Sequence, residues 1–293
     1  VVVFSDLPPS EDELVRRICD ADAIVVDYSR ITASVMDRCP KLRLIAYLGV
    51  GVWTVVDVVE ASRRRIAVAI APAYGTNAVA EHALALMLAA ARNIVRGDRE
   101  VRQGIWNQAL EGSELSGKTL GIIGLGPIGA RMADLGRCLG MRVICYTLSP
   151  TPERAKAHGV EFVSLQELLQ QADFVSIHIM YSETTHHLIG PEELALLKPS
   201  AILVNTARAE VVDTQALVEA LRSGRIRHAA IDVFETEPVG PYHPLFELDN
   251  VTLTPHWGYN TPEAKARMLS TTLDNVIAFL QGRPKNIVNP EVL

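Results

Sequence analysis

Short apolar runs alternate along this chain with stretches in which apolar residues recur every three or four positions. The runs have the length and the Val/Ile/Leu bias of strands buried on both faces, and the periodic stretches read as helices with one covered side. Val1–Phe4, Ala23–Val26, Leu42–Tyr47 and Ile66–Ile70 are predicted strands, with helices between them. A helical pattern from about Asn77 to Gly104 follows, and Gly104–Gly117 reads as a loop. Then come strand patterns at Thr119–Ile123, Val143–Tyr146, Ala201–Val204, Ala229–Ile231 and Val251–Leu253. Thr261-Pro262-Glu263, an N-cap with proline at the first helical position, opens a last helix over Glu263–Leu280. Such alternation predicts an α/β protein with two doubly wound, Rossmann-like parallel-sheet domains and a cleft between them. The last helix is expected to return to the first domain, giving residues 1–74 plus 262–293 as one domain and 75–261 as the other.

One turn carries a cofactor signal. Thr119–Ile123 runs into Gly124-Leu125-Gly126-Pro127-Ile128-Gly129, and a helical pattern with Met132, Leu135 and Leu139 continues from it. Strand, G-x-G-x-x-G turn and helix start, in that order, are the context a dinucleotide fingerprint needs. Gly124 permits the turn, Gly126 lets backbone approach a pyrophosphate, and Gly129 lets helix and strand pack closely. The pyrophosphate is expected on the free N–H groups at the positive helix end, around Pro127 and Ile128. The second strand usually ends in an acid that accepts the ribose hydroxyls of NAD. Here Thr147 stands at that place, and the nearest arginine downstream is Arg154. The pattern therefore admits NAD or NADP.

Three later strand ends deliver polar groups of different kinds. Asn205-Thr206-Ala207-Arg208, Asp232 through Glu237-Pro238, and Thr254-Pro255-His256-Trp257-Gly258 each follow an apolar run. Open α/β sheets bind their ligands past the carboxyl ends of the strands. His256 suits a general acid and base, because imidazole passes through both protonation states near neutral pH. Glu237 suits a partner that orients the ring and stabilises imidazolium. Arg208 suits a fork for a substrate carboxylate. His178, at a strand end, is expected to line the cofactor cleft. Asp213 reads as a helix cap rather than a reactive group.

These landmarks, with Gly49-Val50-Gly51, Val79-Ala80-Glu81-His82 and Asn286-Ile287-Val288-Asn289-Pro290, resemble the D-isomer-specific 2-hydroxyacid dehydrogenases over almost the whole chain and in that family's order. The resemblance implies that Arg208, Glu237 and His256 are the catalytic trio, and that Asp232 contacts the nicotinamide carboxamide. Thr206, Ala207 and Gly258 are further expected cofactor contacts on the same resemblance. It implies that the Val50 and Gly51 backbone holds the substrate carboxylate, that residues 75–261 bind the dinucleotide, and that the discontinuous domain binds substrate. A homodimer reducing a small 2-oxo acid, glyoxylate- or hydroxypyruvate-like, is the expected whole. Departures are Ala209 in place of the usual glycine after Arg208, Met180 in place of a proline, and Trp53 in a stretch one residue longer than usual. The chain opens without the family's usual first β-α unit, so a fragment of a longer protein is expected.

Composition narrows the rivals. Net charge is −6 with no basic run, so a nucleic-acid partner is not expected. Ala83–Ala91 is too short to span a bilayer, no signal peptide is visible, and a cytoplasmic location is the default. Cys19, Cys39, Cys138 and Cys145 lack metal-site spacing and read as reduced structural thiols; no metal is expected. Within the same superfamily, phosphite- or formate-type dehydrogenases are a rival reading, although formate enzymes typically carry Gln where Glu237 stands. Outside catalysis, a nicotinamide-dependent binding protein like the corepressors of this fold is the alternative.

Overall fold

The computed structural model describes residues 1–293. Its contacts divide the chain into two compact units, Val1–Tyr74 with Thr261–Leu293, and Gly75–Asn260.

In the first unit, β1 (Ala23–Val26), β2 (Leu44–Tyr47) and β3 (Ala67–Ala69) form a parallel sheet in that order. Ile24, Val26, Ile45 and Val68 meet Leu14, Val15, Ile31 and Val35 in its core. The helix Pro262–Leu280, capped by the Thr261 hydroxyl, packs on β2. Near the C-terminus the buried Asn289 staples the chain to β3. It accepts from Val68 N at 2.8 Å and donates to Ile66 O at 2.9 Å. Val1–Phe4 is not a strand. Its first three residues are fully or largely exposed, and Phe4 lies under the Arg17 guanidinium at 4.5 Å. An apolar run becomes a strand only where a sheet edge accepts its backbone groups, and none meets this one.

The second unit holds a seven-stranded parallel sheet. Its strands are β4 (Thr119–Ile123), β5 (Arg142–Tyr146), β6 (Glu161–Phe162), β7 (Phe174–Ile177), β8 (Ile202–Asn205), β9 (His228–Ile231) and β10 (Val251–Leu253). The spatial order β10-β9-β8-β7-β4-β5-β6 reverses between β4 and β7. From β4 the chain winds outward through β5 and β6, then crosses to β7 and winds the other way. The carboxyl ends of β4 and β7 therefore flank a topological switch point, where sheets of this kind open a crevice. Apolar side chains cover both faces, as parallel strands require.

The helix expected over residues 77–104 is two helices, Thr76–Ala91 and Ile94–Arg102, bent by 59°. Asn93 causes the break. It sits in the left-handed region (φ 54°), which asparagine tolerates better than most residues, and its amide donates to Glu111 O at 3.0 Å. Ala80, Ala83, Met87 and Ala90 are buried on the first helix, which packs against the helix Pro127–Cys138. No single helix is long and apolar enough to cross a membrane.

Candidate active site

The glycine turn lies at the end of β4. Gly124 has φ 97°, and a Cβ there would stand 2.5 Å from Ile179 N, so only glycine lets β4 end against the chain leaving β7. Gly129 lies over the same turn, where a Cβ would stand 2.0 Å from Gly124 O. Gly126 is exposed and has nothing near its Cβ position, so its backbone is open to a ligand. Pro127 takes the first position of the following helix, where a missing N–H costs nothing.

The neighbouring strand ends complete this edge. His178 bonds to Ser176 Oγ through Nε2 at 2.8 Å, and burial pushes its ring down to about 4, which keeps it neutral. Asn205 gives the β8 end its shape. Its carbonyl accepts from Ala207 N at 3.0 Å and its amide donates to Arg208 O at 2.9 Å, fixing the loop that presents the Arg208 guanidinium. Ala209 begins a short 3-10 turn with negative φ, so the absent glycine imposes no strain. Thr206 Oγ1 is buried without a hydrogen-bond partner. A buried hydroxyl left unpaired costs about 1–3 kcal/mol, and a polar ligand at this edge would satisfy it. With the open Gly126 backbone, this orphan makes the edge fit a dinucleotide.

The polar residues after β9 and β10 form one network. His256 Nδ1 lies 2.6 Å from Glu237 Oε2, and Glu237 Oε1 accepts from Phe234 N at 3.0 Å. Since a carboxylate can only accept, Nδ1 carries the hydrogen, and Nε2 is left free of protein partners. Burial pushes the Glu237 carboxyl up, but the His256 and Phe234 bonds and the nearby Arg208 charge outweigh it, so Glu237 titrates below its usual range.

Asp232 is only 1% exposed. Its Oδ1 accepts from Thr254 Oγ1 at 2.6 Å, Trp257 N at 2.8 Å and His82 Nε2 at 3.2 Å, and its Oδ2 from Gly258 N at 2.9 Å. Burial pushes its carboxyl up, and these four bonds pull it below the ordinary value. A buried carboxylate is costly unless saturated in this way.

This network includes two of the expected cofactor contacts, Asp232 and Gly258. Gly258 is buried with its N–H committed to Asp232, and a Cβ there would stand 3.1 Å from Asp232 Oδ2. Asp232 itself is occupied mainly in holding the His256 turn, with spare accepting capacity on Oδ2 alone. Sequence reasoning missed the roles of Asn205 and His82. An asparagine at the very end of a strand, before a reactive loop, was the available signal for the first. His82 stood in the Val79–His82 landmark, but nothing near it pointed to a partner 150 residues away. Asp213 caps the helix Thr214–Arg222, accepting from Ala216 N at 3.0 Å. Val50 and Gly51 follow β2 in the other unit; Val50 is 41% exposed and Gly51 starts a 3-10 turn. A cavity of about 300 Å³, lined by Arg96, Arg99, Arg227, His228 and Thr252, lies at the opposite, amino-terminal ends of β9 and β10 and contains none of the trio.

Comparison with known proteins gives the family. The profile of the D-isomer-specific 2-hydroxyacid dehydrogenase NAD-binding domain matches residues 84–258. A glyoxylate reductase of Korarchaeum cryptofilum is 43% identical over 295 residues, covering 98% of this chain and 89% of its own. The crystal structure of the TT0316 protein of Thermus thermophilus superposes with a TM-score of 0.88 at 41% identity, covering 98% of this chain and 91% of the other. An acyclic imino acid reductase in complex with NADPH and D-Arg superposes at 0.87 with 30% identity, covering 98% and 91%. A switch-point glycine turn and a full-length likeness to enzymes of one family lead to one assignment: the chain belongs to the D-isomer-specific 2-hydroxyacid dehydrogenases and is an NAD(P)-dependent oxidoreductase acting on CH–OH groups.

Proposed function

We propose that this enzyme reduces a small 2-oxo acid, glyoxylate or hydroxypyruvate in preference to bulkier ones, to the D-2-hydroxy acid. The observation that carries the reading is the 2.6 Å His256–Glu237 pair at the sheet edge that also presents Arg208. The name of the 43% identical relative supports the choice of glyoxylate.

When bound, the nicotinamide ring supplies or takes the hydride; the backbone around Gly126, Pro127 and Ile128 would hold the dinucleotide pyrophosphate in the turn that Gly124 and Gly129 permit, with Thr147, His178, Thr206 and Ala207 along the same edge and Asp232 and Gly258 beside it. Arg208 pairs with the substrate carboxylate, and its charge offsets the alkoxide that develops on the carbonyl oxygen. His256, held through Nδ1 by Glu237, gives the Nε2 proton to that oxygen in reduction and removes it in oxidation. Val50 and Gly51 are proposed as further carboxylate contacts through their backbone. A homodimer is proposed with this reading, and sedimentation equilibrium tests it.

The test of function is a panel of glyoxylate, hydroxypyruvate, pyruvate and branched 2-oxo acids with NADH and NADPH separately. The highest kcat/KM is expected with glyoxylate and hydroxypyruvate. No turnover of any 2-oxo acid would refute the reading.

A further inference from the structure

β5 ends beside the glycine turn, with Gly124 N donating to Tyr146 O at 2.8 Å. In this fold the adenosine ribose lies past that strand end. Thr147, Leu148, Ser149 and Pro150 stand there, and none is acidic. The following helix, Pro152–His158, starts with Thr151 as N-cap, whose hydroxyl accepts from Arg154 N at 3.3 Å. Arg154 therefore falls in the first turn, and helical side chains lean back toward the N-terminus. Its Nη1 donates to Ser149 Oγ at 2.7 Å and to the Ser149 carbonyl, and its Nη2 donates to Leu125 O at 2.8 Å. The guanidinium thus bridges the end of β5 and the middle of the glycine turn. These bonds use three of the five N–H donors of an arginine, all on neutral acceptors. The cation is half-buried and has no carboxylate partner.

Resting on the dinucleotide reading of the turn, we infer that Arg154, with the Ser149 hydroxyl, selects NADPH over NADH by pairing with the phosphate on the adenosine 2′-oxygen. A planar fork with two spare donors suits a phosphate. Ser149 accepts from Arg154 and keeps its own O–H to donate. The missing acid at residues 147–150 removes the repulsion that an NAD-type strand end would impose.

Isothermal titration of the full chain with NADPH, NADH, 2′,5′-ADP and 5′-AMP tests this without turnover. NADPH is expected to bind at least about tenfold tighter than NADH, the equivalent of about 1.4 kcal/mol, and 2′,5′-ADP should exceed 5′-AMP by a similar ratio. Added salt should shrink both ratios, because the pair is partly exposed. Arg154→Gln keeps an amide donor for Ser149 or Leu125 and removes the charge. It should weaken NADPH about tenfold or more while NADH stays within about threefold. Arg154→Lys, which keeps a point charge, should recover part of the loss. Equal affinity of the parent for both dinucleotides overturns the inference. So does equal weakening of both by Arg154→Gln, which would make Arg154 a brace of the glycine turn. Binding of neither dinucleotide would overturn the cofactor reading itself, a result distinct from these two.

Discussion

Glu237→Gln separates the charge of the dyad from its shape. Both carboxylate oxygens are committed, Oε1 to Phe234 N at 3.0 Å and Oε2 to His256 Nδ1 at 2.6 Å. Glutamine offers one acceptor and one NH2. If its carbonyl stays with Phe234, the NH2 faces Nδ1 and can only donate, which favours a neutral ring protonated at Nε2. If the carbonyl turns to His256, the NH2 meets the Phe234 N–H, donor against donor. Imidazolium loses its counter-charge in both cases. A hydrogen bond to a charged group is worth about 1.5–3 kcal/mol. The His and Glu side chains are 38% and 36% exposed, so solvent screening favours the lower end. About 1.5 kcal/mol corresponds to roughly one pH unit. Reduction uses the protonated ring, so the alkaline limb of kcat/KM for the 2-oxo acid should move about one unit to lower pH. Oxidation uses the neutral ring, and its acid limb should move the same way. Steady-state rates across pH, with cofactor deuterated at the transferred position, make the assay. A primary isotope effect shows that hydride transfer is being timed. A full isotope effect with both limbs unmoved would refute the dyad.

Four further outcomes follow from particular contacts. His256→Asn should keep the turn, since asparagine tolerates the φ of 54° found there, yet lose about 10²–10⁴-fold in reduction rate with dinucleotide affinity retained; near-normal turnover with a full isotope effect would remove His256 from the chemistry. Thr147→Asp should raise the NADH/NADPH ratio of kcat/KM at least about tenfold by restoring a carboxylate at the ribose, and an unmoved ratio would place Thr147 away from it. Gly126→Ala and Gly129→Ala should differ in kind. The first meets nothing and should weaken dinucleotide binding at an unchanged melting temperature, whereas the second drives a Cβ to 2.0 Å from Gly124 O and should lower stability by about 1–3 kcal/mol; equal melting temperatures would contradict this. Burial pushes the His228 ring from 6.5 down to about 4, so the unfolded chain binds the extra proton and stability is lost as pH falls through that window, by up to about 3 kcal/mol. His228→Gln should flatten the fall in melting temperature over this range, and an unchanged slope would be evidence against the assignment.

What could be read from the sequence was whatever neighbouring residues fix among themselves. The glycine turn, the Thr261-Pro262 helix start and the strand ends at Asn205, Ile231 and Leu253 depend on period and turn chemistry within a few residues. Val1–Phe4 failed because a strand is a property of two segments, and its apolar run carries no information about whether an edge will meet it. The break at Asn93 was locally signalled by a left-hand-tolerant residue, but the apolar pattern continuing on either side concealed it. His82 joins Asp232 across 150 residues. Arg154 was visible in number but not in reach, since its position depends on how the Thr151 cap turns the next helix back over β5.

The active edge divides two tasks between two carboxylates. His256 holds a left-handed backbone, which costs an L-residue about 1–2 kcal/mol. Such a conformation persists where its surroundings over-determine it. Asp232 does so from both of its ends. Its carbonyl accepts from His256 N at 2.8 Å, and its carboxylate takes the next two N–H groups, Trp257 and Gly258. Two bonds to a charged acceptor, at about 1.5–3 kcal/mol each, exceed the strain. His82 and Thr254 fill the remaining capacity of Oδ1, which lets the buried charge persist. Glu237 is thereby free of any backbone duty at the His256 turn; Phe234 N anchors its Oε1, and its Oε2 is given to the ring. With the turn held by one carboxylate and Nδ1 by the other, Nε2 is the position left to exchange a proton with substrate.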